Sequence, residues 1–297
     1  DMHNLMSRSF LVMTDSGGGY TFSMDAKTHK ITSDNLSFSP DCPSESVFLG
    51  EGGTIWSVTR APIKKNCNYF VLHSFGYTKY SCNFNGLKSC LTEFIGQTGV
   101  KYYSVEIRNE ADYERKINAA LVLDVALGSG ENTSCSLIGF REDNKVTMKN
   151  TSDGTYCTVE CSQKLKSFSF SRKSMMNKRL EYVRINELEE MQGSSVVYSV
   201  SVPIKAKSTQ KIVFCLSAGA EAHPELADEI FESVKKKYSS VSPVSLQSGD
   251  KSLDMLYKWL PYQVYCSRFF RRYGYDAYGA TDAFRDKLET ALGLMYF

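Results

Sequence analysis

An antiparallel β-sandwich that gives way to helices after residue 221 is the fold this sequence predicts, and the chain should be mainly β. Three observations point there. Residues 1 to about 220 hold short runs rich in aromatic and β-branched residues. Turn signals such as "EGG", "SDG" and "EDN" punctuate those runs at short intervals. Helical patterns do not alternate with them, which argues against βαβ units and a parallel sheet.

The elements follow in order. The triple glycine of "TDSGGGYTFS" (17–19) is followed by neither Gly-Lys-Ser/Thr nor a helix, so it is not a phosphate loop. It reads as a turn between strands, or as a point where backbone closely approaches a ligand or a neighbouring subunit. "YFVLHSFGYTKYSCNF" reads as two strands about an "FGY" turn. In "VKYYSVEIRNE", Tyr103, Val105 and Ile107 face one way, and Lys101, Glu106 and Arg108 fall largely off that face. "KINAALVLDVALG" is more continuously apolar, as expected of a strand covered on both sides. "GSSVVYSVSVPIKAKSTQKIVFCLSAG" supplies two more strands.

The period changes near Ala222. Leu226, Ile230, Val234 and Tyr238 recur at steps of four, one helical stripe. Pro224 suits the first turn, Asp228 and Glu229 lie early, and Lys235 to Lys237 lie late, where cations favour the helix dipole. That lysine run reads as a solvated helix end. After the linker "VSPVSLQSG", a second helix begins with Asp250 as N-cap. Leu253, Leu256, Leu260 and Val264 share one of its faces, and Pro261 should kink or divide it.

Bulk properties remove several function classes. A chain of 297 residues has room for about two domains. A net charge of +2 leaves no electrostatic footprint for nucleic acid or an anionic membrane. No apolar run approaches the roughly 20 residues of a spanning helix. "DMHNLMSRSF" lacks the apolar core of a signal peptide, so the sequons at Asn35, Asn132 and Asn150 read as chance matches. The nine cysteines form no CxxC pair, and His3, His29, His73 and His223 do not cluster. Reduced, mostly buried thiols in a cytoplasmic protein are expected, with no metal.

The chemistry gathers near the C-terminus. No Ser-His-Asp or Cys-His set is visible. "YGATDAFRDKL" (278–288) sets Arg285 and Asp286 side by side between Phe284 and Leu288. Two readings stand. The pair is a structural ion pair inside a helical core, where its partners must be satisfied. Or both groups project into a polar pocket and grip the vicinal hydroxyls of a sugar. Phe269, Phe270, Tyr273, Tyr275 and Tyr278 crowd the approach, and aromatic faces pack against sugar rings.

"SGGGYTFSMDAKTHKIT", "SESVFLGEGGTIWSVTRAPI", "FGYTKY" and "KWLPYQVYCSRFFRRYGYDAYGATDAFRDKLE" resemble, in that order, the glycoside phosphorylases of glycoside hydrolase family 94. The most specific elements are Gly-Gly-Tyr-Thr, "WS-x-T-x-x-P" and "F-R-D". The Trp56 segment and "LVLDVALG" are most similar to the β-1,2-glucan branch of that family. The last segment departs from the usual Gly-Phe-Arg-Asp-Gln-Leu-Gln-Asp at Ala283, Lys287, Glu289 and Thr290.

The resemblance implies a β-supersandwich over 1–221, a helical linker over 222–271, and the first helix of a truncated (α/α)6 barrel over 272–297. It implies reversible, inverting phosphorolysis of β-linked gluco-oligosaccharides, β-1,2-glucan foremost, to α-glucose 1-phosphate. Inorganic phosphate is then the co-substrate, no cofactor is needed, and the protein is a homodimer. Arg285 and Asp286 carry over to the subsite of the non-reducing sugar, with Tyr278 beside them. The family's general acid sits in a Gly-Asp-Trp-Asn-like motif that does not occur here, so this chain alone should be inactive. The alternative is a non-catalytic carbohydrate-binding or dimerisation module of the same fold. A third reading, an unrelated β-sandwich lectin, finds no clustered calcium loop to support it.

Overall fold

The computed structural model describes residues 3–6, 10–14, 17–23, 30–33, 43–128, 136–188, 190–241 and 245–272, with 288 and 292. Among these the chain forms a mainly β, antiparallel sandwich followed by two helices. One sheet runs β1 (His3–Met6), β2 (Phe10–Thr14), β3 (Gly19–Ser23), β4 (Lys30–Thr32), β11 (Arg115–Gly128), β16 (Ser195–Ile204) and β15 (Ser167–Ser169). β5 (Glu45–Glu51) joins it on β11 and β3, and carries β6 (Thr54–Ser57). The other sheet runs β12 (Leu137–Glu142), β13 (Lys145–Asn150), β14 (Tyr156–Cys161), β17 (Thr209–Ser217), β10 (Lys101–Asn109), β9 (Leu87–Ile95), β8 (Tyr77–Phe84) and β7 (Tyr69–Ser74).

The two-residue period of a strand decides which side chains meet. On β10, Tyr103, Val105 and Ile107 enter the core between the sheets, joined by Ile212, Phe214 and Leu216 of β17. β11 is covered on both sides, as its apolar run requires. Ile117, Ala119, Leu121 and Leu123 face the same central core. Ala120 and Val122 face a second cluster with Phe48, Val197, Met175, Ile185 and Leu188, contributed in part by the irregular chain over 170–188.

A third cluster lies on the outer face of the second sheet. Phe94, Tyr102, Val213 and Cys215 pack there against α1 (Ala227–Ser239) and α2 (Lys251–Arg272). Val234 and Tyr238 of α1 are buried on the predicted stripe, while Leu226 precedes the helix and is exposed. Asp250 does cap α2: its Oδ1 accepts the N–H groups of Ser252 at 2.8 Å and Leu253 at 3.3 Å.

Three expectations need correction. Lys101 does not leave the Tyr103 face: it shares that residue's parity and is 0% exposed, because two carboxylates wait for it inside. Of the two outcomes expected at Pro261, a kink or a division, the division does not occur, since α2 runs on to Arg272. Burial of Pro261 and its neighbour Tyr262 offsets the backbone bond that proline forgoes. And Leu253, Leu256 and Leu260 are 46, 49 and 42% exposed. The face of α2 turned to the sandwich is instead Trp259, Tyr262 and Cys266.

Candidate functional site

Tyr278, Arg285 and Asp286, the candidate sugar grip, lie outside the described residues. So do Tyr273 and Tyr275. Among the described residues, the Gly-Gly-Tyr-Thr, "WS-x-T-x-x-P" and "FGY" segments each have a structural place in the sandwich.

The Gly17–Gly19 stretch packs its backbone onto the start of β5. A Cβ on Gly18 would stand 2.6 Å from Pro43 Cβ and 2.8 Å from the carbonyl oxygen of Glu45. The close approach anticipated for these glycines is therefore to the chain itself. Around the same strand start, Arg172 donates to the carbonyl of Pro43 at 3.0 Å and pairs with Asp124 at 3.0 Å. Ser195 Oγ donates to the other Asp124 oxygen at 2.8 Å. Burial raises the Asp124 pKa, and Arg172 and Ser195 pull it partly back.

From this corner Glu45 reaches into the sandwich. Its carboxylate accepts from Tyr103 Oη at 2.7 Å and Thr32 Oγ1 at 3.0 Å, and pairs closely with Lys101 Nζ. Glu93 meets the same ammonium at 3.0 Å. Burial works against the Lys101 charge, but the two carboxylates outweigh it and hold its pKa above the ordinary lysine value. Burial, then those carboxylates, push the Tyr103 hydroxyl well above its ordinary range. Lys101 thus links Glu45 of one sheet with Glu93 of the other across the core. Sequence parity places Lys101 on the Tyr103 face, but spacing alone does not name its partners, because Glu45 comes from the opposite sheet.

"WS-x-T-x-x-P" is a stitched loop. Trp56 is buried in the central core. Ser57 Oγ is 2.8 Å from the Thr59 carbonyl and 3.1 Å from the Ile63 N–H, and Thr59 Oγ1 donates to the Ala61 carbonyl at 2.6 Å. "FGY" is the turn on which both helices dock. Gly76 has φ +83°, and a Cβ there would meet Tyr238 Cδ2 at 2.4 Å and Val234 at 2.9 Å. Its N–H donates to Tyr262 Oη at 3.0 Å. His3 of β1 completes this junction: its Nδ1 lies 2.8 Å from Thr78 Oγ1, and its ring stacks on Trp259 at 5.4 Å. Burial, with His73 4.9 Å away, lowers the His3 pKa to about 3.

One surface feature stands apart. A shallow groove of about 510 Å³ opens on the outer face of β12, β13, β14 and β17. Strand register sets its lining in rows. Phe140, Thr147, Thr158 and Ser217 lie across from one another, as do Lys149 and Tyr156. Glu142 lies across from Lys145, which pairs with Glu160 at 3.1 Å. A floor of hydroxyls thus runs between aromatic and charged walls. Among the described residues no group of three His, Cys, Asp or Glu side chains is gathered to hold a metal ion. Nor is any described helix long and apolar enough to cross a membrane.

Among solved structures, a protein described as a kojibiose phosphorylase from the human microbiome aligns with a TM-score of 0.45 and 10% identity, over 90% of this chain and 35% of its own. A galactose mutarotase related enzyme from Lactobacillus acidophilus aligns with a TM-score of 0.41 and 8% identity, over 74% of this chain and 98% of its own. Neither likeness is close enough to bear on the reaction. Two proteins are related in sequence, both N,N'-diacetylchitobiose phosphorylases. That of Vibrio furnissii is 32% identical over 114 residues, and that of Vibrio proteolyticus 27% identical over 114 residues. Each match covers 36% of this chain and 14% of the relative's length. The sequence profile of the glycosyl hydrolase 94 supersandwich domain matches residues 3–152, half of the chain. On that match, the chain belongs to glycosyl hydrolase family 94 and carries its supersandwich domain.

Proposed function

We propose that this chain is the front part of an inverting glycoside phosphorylase that acts, as a homodimer, on β-linked gluco-oligosaccharides. β-1,2-glucan is the first candidate substrate and α-glucose 1-phosphate the product. The observation that carries the reading is the family match over residues 3–152. In this reading the sandwich covers 1–221, the helical linker 222–271, and 272–297 opens the (α/α)6 barrel. Phosphate attacks the anomeric carbon from the face opposite the leaving sugar. An aspartic acid, supplied from outside these 297 residues, protonates the glycosidic oxygen. Phosphate stands where an inverting hydrolase keeps its activated water. Arg285 and Asp286 hold hydroxyls of the non-reducing sugar, and Tyr278 lies against its ring. Their contribution is positioning, which raises the population of reactive geometry.

Two observations favour second readings. The Vibrio relatives make N,N'-diacetylchitobiose the second candidate substrate. The groove at Phe140 and Tyr156, aromatic walls over a hydroxyl floor, suits a sugar ring and supports a non-catalytic carbohydrate-binding module.

One assay separates them. The protein encoded by the complete reading frame is incubated with inorganic phosphate and, in turn, β-1,2-gluco-oligosaccharides, cello-oligosaccharides and N,N'-diacetylchitobiose, and sugar 1-phosphate is measured. Release from the β-1,2 series is expected. Release from N,N'-diacetylchitobiose alone moves the substrate to the second candidate. No release from any of them sinks the phosphorylase reading and leaves the binding module. In the active protein Asp286→Ala should lower turnover about 100-fold or more, and near-normal phosphorolysis would overturn its assignment.

A further inference from the structure

Cys67 and Cys82 are the described thiols that meet. Cys67 lies in the loop before β7 and Cys82 lies on β8, and their Sγ atoms are 3.3 Å apart. A disulfide needs about 2.05 Å, so bond formation asks for a shift of about 1.3 Å. The approach does not depend on the sulfurs themselves. Tyr69 sits directly across from Cys82 in the β7–β8 ladder. Its Oη accepts the Lys65 N–H at 3.0 Å and donates to the Ile63 carbonyl at 3.4 Å, which holds the loop down over β8. The Cys67 N–H turns back to the Lys65 carbonyl at 2.9 Å and aims the side chain inward. Cys67 is partly exposed, whereas Cys82 is buried in the core on a strand paired on both edges. One thiol can meet an oxidant and the other waits beside it.

We propose that Cys67 and Cys82 are an oxidative modification site: they close a reversible disulfide that clips the 58–68 loop to β8. A peroxide oxidises the Cys67 thiol to a sulfenic acid and releases one water. The Cys82 sulfur then attacks the Cys67 sulfur, the S–O bond breaks, and the hydroxyl leaves with the Cys82 proton as a second water. Two thiols and one peroxide become one disulfide and two waters. The sulfurs lose two electrons and the peroxide gains them. A dithiol reductant reverses the bond by exchange. Burial pushes the Cys82 thiol up to about 12, so its attack on the sulfenic acid quickens as pH rises. The clipped loop carries the Thr59–Pro62 end of "WS-x-T-x-x-P", so oxidation rigidifies the part of the sandwich where the family motif is stitched.

The sequence makes the test direct. Trypsin places Cys67 on residues 66–79 and Cys82 on residues 80–88, each peptide with no other cysteine. The protein from the complete reading frame is treated with hydrogen peroxide or oxidised glutathione, alkylated, digested and mapped by mass spectrometry, with thermal unfolding followed in parallel. The expected result is a joined 66–79/80–88 peptide that dithiothreitol abolishes. The oxidised form should melt about 5 °C above the reduced one. Cys67→Ser, a change at the partly exposed position, should show neither effect while melting like the reduced protein. Separate alkylation of Cys67 and Cys82 after oxidation would overturn the proposal. So would Cys67 driven to sulfinic acid while Cys82 stays alkylatable. A joined peptide without a change in melting would overturn the clip.

Discussion

Gly76 shows how much one residue decides here. At φ +83° a non-glycine residue is strained by about 1–2 kcal/mol. A Cβ would also stand 2.4 Å from the Tyr238 ring, and overpacking of that kind costs about 1–3 kcal/mol more. Gly53 is the natural control: it has the same φ of +83°, yet nothing lies within 4 Å of its Cβ position. Gly76→Ala should therefore destabilise well beyond Gly53→Ala in urea unfolding. Equal losses would mean that the helices do not seat on this turn. Lys101 makes a different residue-scale prediction. Lys101→Met leaves Glu45 and Glu93 buried without their cation and should cost about 3–5 kcal/mol. Urea unfolding checks this, and a loss no larger than the roughly 0.5 kcal/mol of a surface substitution would show that the cluster is not what holds those charges. Sequence could supply Gly76 as a turn signal. For Lys101 it could supply the parity shared with Tyr103 but not both partners, since Glu93 sits on the paired strand β9 while Glu45 comes from the opposite sheet.

At the scale of elements the strands were legible and the helix faces only half so. "KINAALVLDVALG" announced a strand covered twice, and β11 does divide its side chains between two clusters. Apolar periodicity on α2 named a real stripe at Leu253, Leu256 and Leu260, but periodicity says only that residues share a face. Which face finds a partner is set by tertiary packing, and the aromatic face of Trp259 and Tyr262 won because Phe75, Tyr238 and His3 supply rings to meet it. The start of α2 was legible because capping is local chemistry. Asp250→Ala should lower stability by about 1 kcal/mol, seen as a lower urea midpoint with unchanged slope. Asp250→Asn, which keeps an acceptor oxygen, should restore most of it. If Asn does no better than Ala, the Oδ1 contacts to Ser252 and Leu253 are not what starts the helix. The candidate sugar grip at Arg285 and Asp286, read first from an ion-forming pair in an apolar stretch and placed with Tyr278 at a subsite by resemblance, lies outside the described residues.

For the whole molecule, the buried titratable groups set the pH window in which the sandwich is most stable. His3 anchors the acid side. It is 1% exposed, and the burial that lowers its pKa outweighs the Ser74 backbone hydrogen bond that favours the charge. Its folded pKa of about 3 lies below the unfolded value of 6.5, so the unfolded chain binds the proton first. Stability should then fall as pH drops below 6.5, by up to about 1.4 kcal/mol per unit. Asp124, which burial raises, pulls the other way closer to its own range. The alkaline side reverses the direction. Burial pushes the thiols of Cys157 and Cys161 to about 12 and lifts the hydroxyls of Tyr103 and Tyr262 well above the usual value. These groups keep their protons longer folded than unfolded, and Lys101 does the same through its carboxylates. Their contribution is complete below the unfolded values near 9 and 10 and is lost as pH rises through them. Urea unfolding should give a plateau from about pH 6.5 to 9 that falls on both sides. His3→Gln should flatten the fall between pH 6.5 and 4.5 while leaving the alkaline limb untouched. An acid limb of undiminished slope in that variant would mean that β1 does not bury His3 against α2, and the joint between sandwich and helices would need another anchor.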